Sequence, residues 1–528
     1  MKKNFNKIAS LVLAAAMVGA MPVAAFADTN TTATTELRAK ATISTTSDRT
    51  FEVYQIFTGD LSNGKLSNLK WGANGTGEEG DVVDEATINA LTALDGKTDA
   101  EKLAVIESFA KMENPVGTVT KDASWTGRTG YYIFKDVTTN LKDGEAYSLN
   151  VTEVNGNTTI TPKTGTTTSE KKVRDINDST DTTVGGLMDS SDWDIGDEVP
   201  FQLKATIASD YANYTKGYKL TFHDHESAGL TFNAKSVVVK VDGNDVDTTA
   251  YSVATGSEKD NPCTFEVHFE NLKDIKDVHA GSVITVDYTA TLNENAKIGA
   301  EGNPNESHIT FTNNPNDNQA GENGKTPDDK VIVFTYKVEA NKYMNEVKKG
   351  NELMGAKFTL YKLVTDTSKK GAKKGADIKA ELKSKDETKS VNTDAFVDAS
   401  YYVSLGEVDG TTSSQFTWKG IDDGTYILVE TKTPDGYNSK EAMSFEVTAT
   451  HTDGEEPALE TLNGYKITGD IVLTATKDDG KLSTDVINKQ GSTLPTTGGM
   501  GTTILYVAGA ILVIAGAAVL VIKKRHEA

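Results

Sequence analysis

Apolar residues alternate with polar ones over long stretches in the middle of this chain. Val199, Phe201, Leu203, Ala205 and Ile207 share one parity, and Ile284, Val286, Tyr288, Ala290 and Leu292 repeat the pattern. A period of two puts all five side chains on one face of a strand, so each run reads as a strand half-buried against a core. Turn residues such as Asp242-Gly243-Asn244 separate these runs, which predicts an antiparallel sandwich over residues 166–330. A module before it, 28–165, has strand patterns at 50–57, 131–134 and 147–154. Between them Ile88, Leu91 and Leu94, then Leu103, Ile106 and Phe109, fall at helical spacing. A Thr-rich link, 161–169, joins the two. A third module, 331–490, has strand patterns at 357–363, 426–430 and 445–450, with a Lys-rich insert at 369–389 that reads as a solvated loop with one helix. The expected fold class is mostly β: tandem Ig-like sandwich modules, the first with some helix.

The two ends break this pattern. Lys2, Lys3 and Lys7 precede an apolar run at 8–20 and then Ala25-Phe26-Ala27, which makes 1–27 a secretory signal cleaved before Asp28. Near the other end, Leu494-Pro495-Thr496-Thr497-Gly498 is followed by an apolar stretch, 503–522, and by Lys523-Lys524-Arg525. That stretch as a helix rises about 30 Å, the thickness of a bilayer's hydrocarbon core. It is therefore expected to be a transmembrane helix with a cytoplasmic basic tail. The tripartite end, 491–528, resembles the cell-wall sorting signal of Gram-positive surface proteins. The resemblance implies that a sortase cuts between Thr497 and Gly498 and passes the acyl group to an amine.

Composition narrows the choice further. With 54 Lys+Arg against 76 Asp+Glu the net charge is −22, which excludes nucleic acid as a partner. The single cysteine, Cys263, excludes an intramolecular disulfide. An extracellular rod without disulfides needs another staple, and one chemistry that supplies it is an amide between a Lys amine and an Asn carboxamide. That reaction needs a neutral amine and a protonated carboxyl, both favoured by burial, so its signature is Lys, Asp or Glu, and Asn pointing inward between apolar neighbours.

The third module carries that signature. Val338, Ala340 and Lys342 share a face, as do Tyr426, Leu428 and Glu430, and Val486-Ile487-Asn488 supplies an amide. Glu430-Thr431-Lys432-Thr433-Pro434-Asp435-Gly436-Tyr437, read with Tyr426 and Leu428, resembles the E-box of sortase-assembled pilins and collagen-adhesin B-type modules; Thr433 stands where Ala is commoner. The resemblance implies a Lys342–Asn488 amide with Glu430 as its catalyst. In the second module Lys171 shares parity with Val173, and Leu220, Phe222 and Asp224 share a face, so the resemblance implies Lys171, Asp224 and Asn305. Lys172 is a rival amine, and Asn303 or Asn313 a rival amide. Asn305 opens a strand over 306–312, read as the last of the module and able to lie beside the first. Both His223 and His225 are expected to face out. Read as a metal site, His223 and His225 have no further ligand at a recognisable spacing, so no metal is expected. The oxygen-rich segments 175–178 and 313–318 read as turns.

Pro162-Lys163 at the first junction resembles the linking lysine of backbone pilins, although Thr161 and Thr164 replace that motif's usual Tyr and Asn. Taken over the whole chain, the resemblance is to the major subunit of sortase-assembled Gram-positive pili. It implies a structural, non-enzymatic protein without cofactors, polymerised through Lys163 and the Thr497 carbonyl. Implied partners are sortases, identical subunits and peptidoglycan, with minor pilins and host surface ligands beyond them. The competing reading is a monomeric wall-anchored adhesin that binds a host protein or glycan.

Overall fold

The computed structural model describes residues 39–490 apart from 63, 98, 163–164, 257–259, 261, 317–323, 386 and 389–390. The signal 1–27, the pentapeptide Leu494–Gly498, the apolar stretch 503–522 and Lys163 lie outside the described residues. Among those described, no helix is long and apolar enough to cross a membrane.

The first module pairs strand Phe51–Ser62 with Gly130–Asp136 and Lys65–Trp71 in a five-stranded sheet, beside a three-stranded sheet centred on Lys40–Thr45. The helical spacing resolves into two short helices, Glu85–Thr92 and Asp99–Glu107. Leu91, Leu103 and Ile106 are buried against Tyr54, Phe57 and Trp71, whereas Ile88 is exposed.

In the second module the two alternating runs are antiparallel neighbours, Glu198–Thr206 on Val283–Leu292, with Phe201 opposite Tyr288. Their sheet also holds Thr168–Asn177; the facing sheet holds Leu220–Glu226, Asn303–Phe311 and Asp329–Phe334. This corrects one expectation. The strand bearing Asn305 does not lie beside that bearing Lys171 but faces it across the sandwich. Nor is it the last strand, because Asp329–Phe334 still follows and pairs with it.

The third module sets a four-stranded sheet against a six-stranded one. Its first and last strands, Tyr336–Met344 and Lys481–Asn488, are parallel neighbours. The insert is more ordered than a solvated loop. Helix Gly375–Ser384 buries Ile378 and Leu382 against Phe396, Tyr402 and Val429, as its apolar spacing requires.

The second and third modules meet in a charged joint. Buried Lys362 pairs with Asp422, with Asp178 at 2.6 Å and with Asp194 at 2.7 Å. Lys369 from the insert reaches Asp178 and Asp197 at 2.6 and 3.1 Å. Segment 175–178, expected to be a turn, instead ends strand Thr168–Asn177 and supplies Asp178 to the joint. Nearby, His451 stacks on Phe334 and lies 3.7 Å from Asp192 and 4.0 Å from Asp175. Ile195 N–H donates to the Gly420 carbonyl. Gly420 has φ +75°, and a Cβ there would fall 2.4 Å from the Ile195 side chain, so only glycine fits.

Candidate functional site

In the third module Met344 lies opposite Asn488 and Lys342 opposite Val486, so Lys342 and Asn488 are diagonal neighbours on the inward face. Glu430 comes from the facing sheet, on strand Gly424–Lys432. All three are at most 1% exposed. Lys342 Nζ donates to Asn488 Oδ1 at 2.5 Å and stands 3.0 Å from Glu430 Oε1. Asn488 Nδ2 donates to both Glu430 oxygens, at 2.8 and 3.1 Å. Phe358 lies 5.3 Å from the amine. Burial pushes the Lys342 amine down to about 8 even though Glu430 pulls it the other way. Thr433, the departure from the family box, turns its hydroxyl onto Glu430 Oε2 at 3.2 Å. Amine, carboxamide and carboxyl therefore touch one another out of water.

The second module holds a related set with a fourth member. Lys171 and Asp224 are fully buried and paired. The Tyr288 hydroxyl lies 2.9 Å from Lys171 Nζ, donates to Asp224 Oδ2 at 2.9 Å and accepts from Asn305 Nδ2 at 2.9 Å. Amine and carboxamide thus meet on one phenol. Burial lowers the Lys171 pKa and raises that of Asp224, in each case against the pull of the partner. Asp224 Oδ1 and Asn305 Oδ1 are buried without a hydrogen-bond partner. The rivals lie elsewhere. Lys172 reaches Asp189 instead, Asn303 is tied to Lys297 and Val333, and Asn313 faces Glu145 of the first module.

Sequence reasoning missed two residues here. Tyr288 was legible only as an apolar position, because its inward parity hides the polar tip. Glu226 sits two residues beyond Asp224 and so faces the same way; burial and the Asp224 charge push its carboxyl up to about 8. The expectation for the histidines is also corrected. His225 is exposed, but His223 is covered, with Nδ1 2.9 Å from Glu266 and Nε2 2.8 Å from Thr310.

Comparisons with known proteins match three segments of the chain. Residues 195–315 match the family described as Gram-positive pilin backbone subunit 2, Cna-B-like domain. Residues 337–456 match the SpaA prealbumin-like fold domain, and 487–528 the LPXTG cell wall anchor motif. The chain is similar to the trypsin-resistant surface T6 protein of Streptococcus pyogenes serotype M6, 26% identical over 362 residues. That match covers 61% of this chain and 64% of the relative's length. Among solved structures it resembles the T6 backbone pilin of the same serotype (18% identity, TM-score 0.47, 87% of this chain and 99% of that one). It also resembles the full-length major pilin SpaD from Corynebacterium diphtheriae (16% identity, TM-score 0.44, 86% and 98%).

Proposed function

We propose that this chain, a Gram-positive pilin-backbone protein with an LPXTG wall anchor, is the structural subunit that a sortase joins end to end into a covalent fibre on the cell wall. The observation that carries this reading is the presence on one chain of a pilin-backbone segment, 195–315, and the anchor segment, 487–528. In the reaction the Thr497–Gly498 bond breaks, the Thr497 acyl group passes to the sortase, and the Lys163 amine of the next subunit takes it as an amide. Lys163 suits this role by its place in the sequence, at the junction of the first two modules and next to Pro162, whose ring restricts the backbone there. The last subunit passes its acyl group to peptidoglycan instead.

Two internal amides belong to the same reading. Lys342 Nζ attacks the Asn488 carboxamide carbon; Glu430, protonated and in contact with both groups, gives its proton to the leaving nitrogen and takes one from the amine, and ammonia departs. Lys171 and Asn305 react alike, with Asp224 as the shuttle and Tyr288 holding both reactants. Burial supports the chemistry where it lowers both amines, Lys342 and Lys171, and raises the Asp224 carboxyl.

Expression beside the organism's own sortases tests the polymer. The wild type is expected to give a ladder of covalent multimers on denaturing gels, and Lys163→Ala to remove the ladder while leaving monomer folding and anchoring intact. A ladder that survives Lys163→Ala and vanishes only when lysines of the 369–389 insert are changed would reassign the acceptor. No ladder from the wild type would favour the monomeric adhesin.

A further inference from the structure

Four of the chain's seven histidines, His223, His225, His268 and His308, lie in or beside the outer face of one sheet of the second module. Neither polymerisation nor the internal amides use this face. His223 lies directly opposite Glu266 on the neighbouring strand, so both side chains rise from the same side of the sheet. The segment just before that strand is laid along Leu220–Glu226 by three bonds. Thr264 N–H donates to the Asp224 carbonyl, Glu226 N–H donates to Thr264 Oγ1, and the His225 ring donates to the Pro262 carbonyl at 2.7 Å. That docking brings Cys263 over His223, with Sγ 3.7 Å from Nδ1. Imidazole, thiol and carboxylate are all buried, and their donor atoms lie within 4.8 Å of one another.

We propose that His223 Nδ1, Cys263 Sγ and a Glu266 oxygen form a three-ligand site for a divalent transition ion of the zinc class. The donor set selects the ion: thiolate and imidazole suit zinc, whereas calcium and magnesium take oxygen alone. The spacing fits as well. Zinc–nitrogen and zinc–sulfur bonds of about 2.1 and 2.3 Å at a tetrahedral angle separate the two donors by about 3.6 Å, close to the 3.7 Å found. The His223–Glu266 separation of 2.9 Å has to open by about 0.5 Å to admit the ion. Outer partners are already in place. His223 Nε2 faces Thr310 Oγ1 at 2.8 Å, and the second Glu266 oxygen lies 3.1 Å from His268 Nε2. Such contacts fix the ring and the carboxylate of a ligand set. The His223 ring also stacks on His308, centroids 4.7 Å apart, which helps hold its orientation. On binding, the Cys263 thiol proton leaves to solvent and the imidazole proton moves to Nε2, where Thr310 accepts it. The fourth position is left to water.

Titration of the chelator-treated mature ectodomain with zinc chloride, and in parallel with cobalt chloride, tests this. The expected result is one ion per chain, about one proton released per ion in weak buffer, and a sulfur-to-cobalt charge-transfer band. Cys263→Ser is expected to abolish the band and, like His223→Ala, to weaken binding at least tenfold, whereas His279→Ala on a distant loop changes nothing. No saturable binding, or binding unchanged in both Cys263→Ser and His223→Ala, overturns the proposal. Should those variants fold poorly by circular dichroism, labelling of the wild-type thiol decides. Zinc is expected to slow reaction of Cys263 with a thiol reagent at least tenfold, and an unchanged rate overturns the site.

Discussion

Lys342 and Lys171 show how far a lysine's surroundings decide its chemistry. Each is fully buried, and for each, burial outweighs a neighbouring carboxylate and lowers the amine. Lys362, equally buried, is held well above the ordinary lysine value because Asp194 and Asp422 outweigh the cost of burial. The first two suit nucleophiles and the third suits an ion-pair anchor. Parity made Lys342, Glu430, Lys171 and Asp224 legible in the sequence, because each falls in step with apolar neighbours. Lys362 was not legible in that way, since its partners come from two modules and no local period records them. At this scale the intact mass of the ectodomain, folded without sortase, is expected to fall short of the sequence mass by two ammonia molecules. Glu430→Ala should restore one and lower stability by about 5 kcal/mol, the order expected for losing a link between residues 146 apart. Tyr288→Phe keeps the ring packed against Phe201 but removes the hydroxyl on which Lys171 and Asn305 meet. It should delay loss of the second ammonia and leave the first unchanged, as a mass time course would read.

The alternating runs foretold the long strands, because half-burial imposes a period of two whichever strand lies alongside. Pairing was less legible. Strand Lys40–Thr45 was missed because its KATIST sequence has only one large apolar side chain, Ile43, to mark a face. The placing of Lys171 and Asn305 in opposite sheets depends on crossovers, which no local pattern encodes. Strand Lys481–Asn488 is a late addition in sequence, paired in parallel with Tyr336–Met344 on one side and with Leu473–Thr476 on the other. Without the proposed amide, the strand is held by backbone bonds, by side-chain hydrogen bonds such as Asn341 to Asp485, and by the burial of Leu482 and Val486. Hydrogen exchange in Glu430→Ala should therefore quicken at least tenfold over 482–488 while the strand Glu198–Thr206 keeps its protection. Equal exchange in wild type and Glu430→Ala would show that no amide secures this strand.

Between modules, charge does the work that apolar surface does within them. Burial, reinforced by the charge of Asp192, pushes Asp175 up to about 8 and Asp423 to about 7. Burial alone would lower His451, but its hydrogen bond to Asp192 and the charges of Asp192, Asp175 and Asp423 raise it. All three hold their proton more tightly in the docked state than in the unfolded chain. The contribution of the two carboxyls is thus complete only below their ordinary value of about 4, and it falls as pH rises until it is gone above about 7 to 8. The joint is expected to melt lower at pH 9 than at pH 6, and Asp175→Asn should shrink that difference; calorimetry at the two pH values checks it. Gly420→Ala should loosen the same joint at either pH, since its Cβ would strike Ile195.

The parallel pairing of the third module's first and last strands has a mechanical consequence. A pull along a fibre enters this module at Tyr336 and leaves beyond Asn488, at opposite ends of two adjacent parallel strands. Tension of that kind shears the whole ladder at once instead of unzipping it rung by rung. An amide from Lys342 to Asn488 would carry the load directly from the first strand to the last. The residues between, including the lysine-rich insert, would then feel no stretch, and they are free to vary in sequence without weakening the fibre.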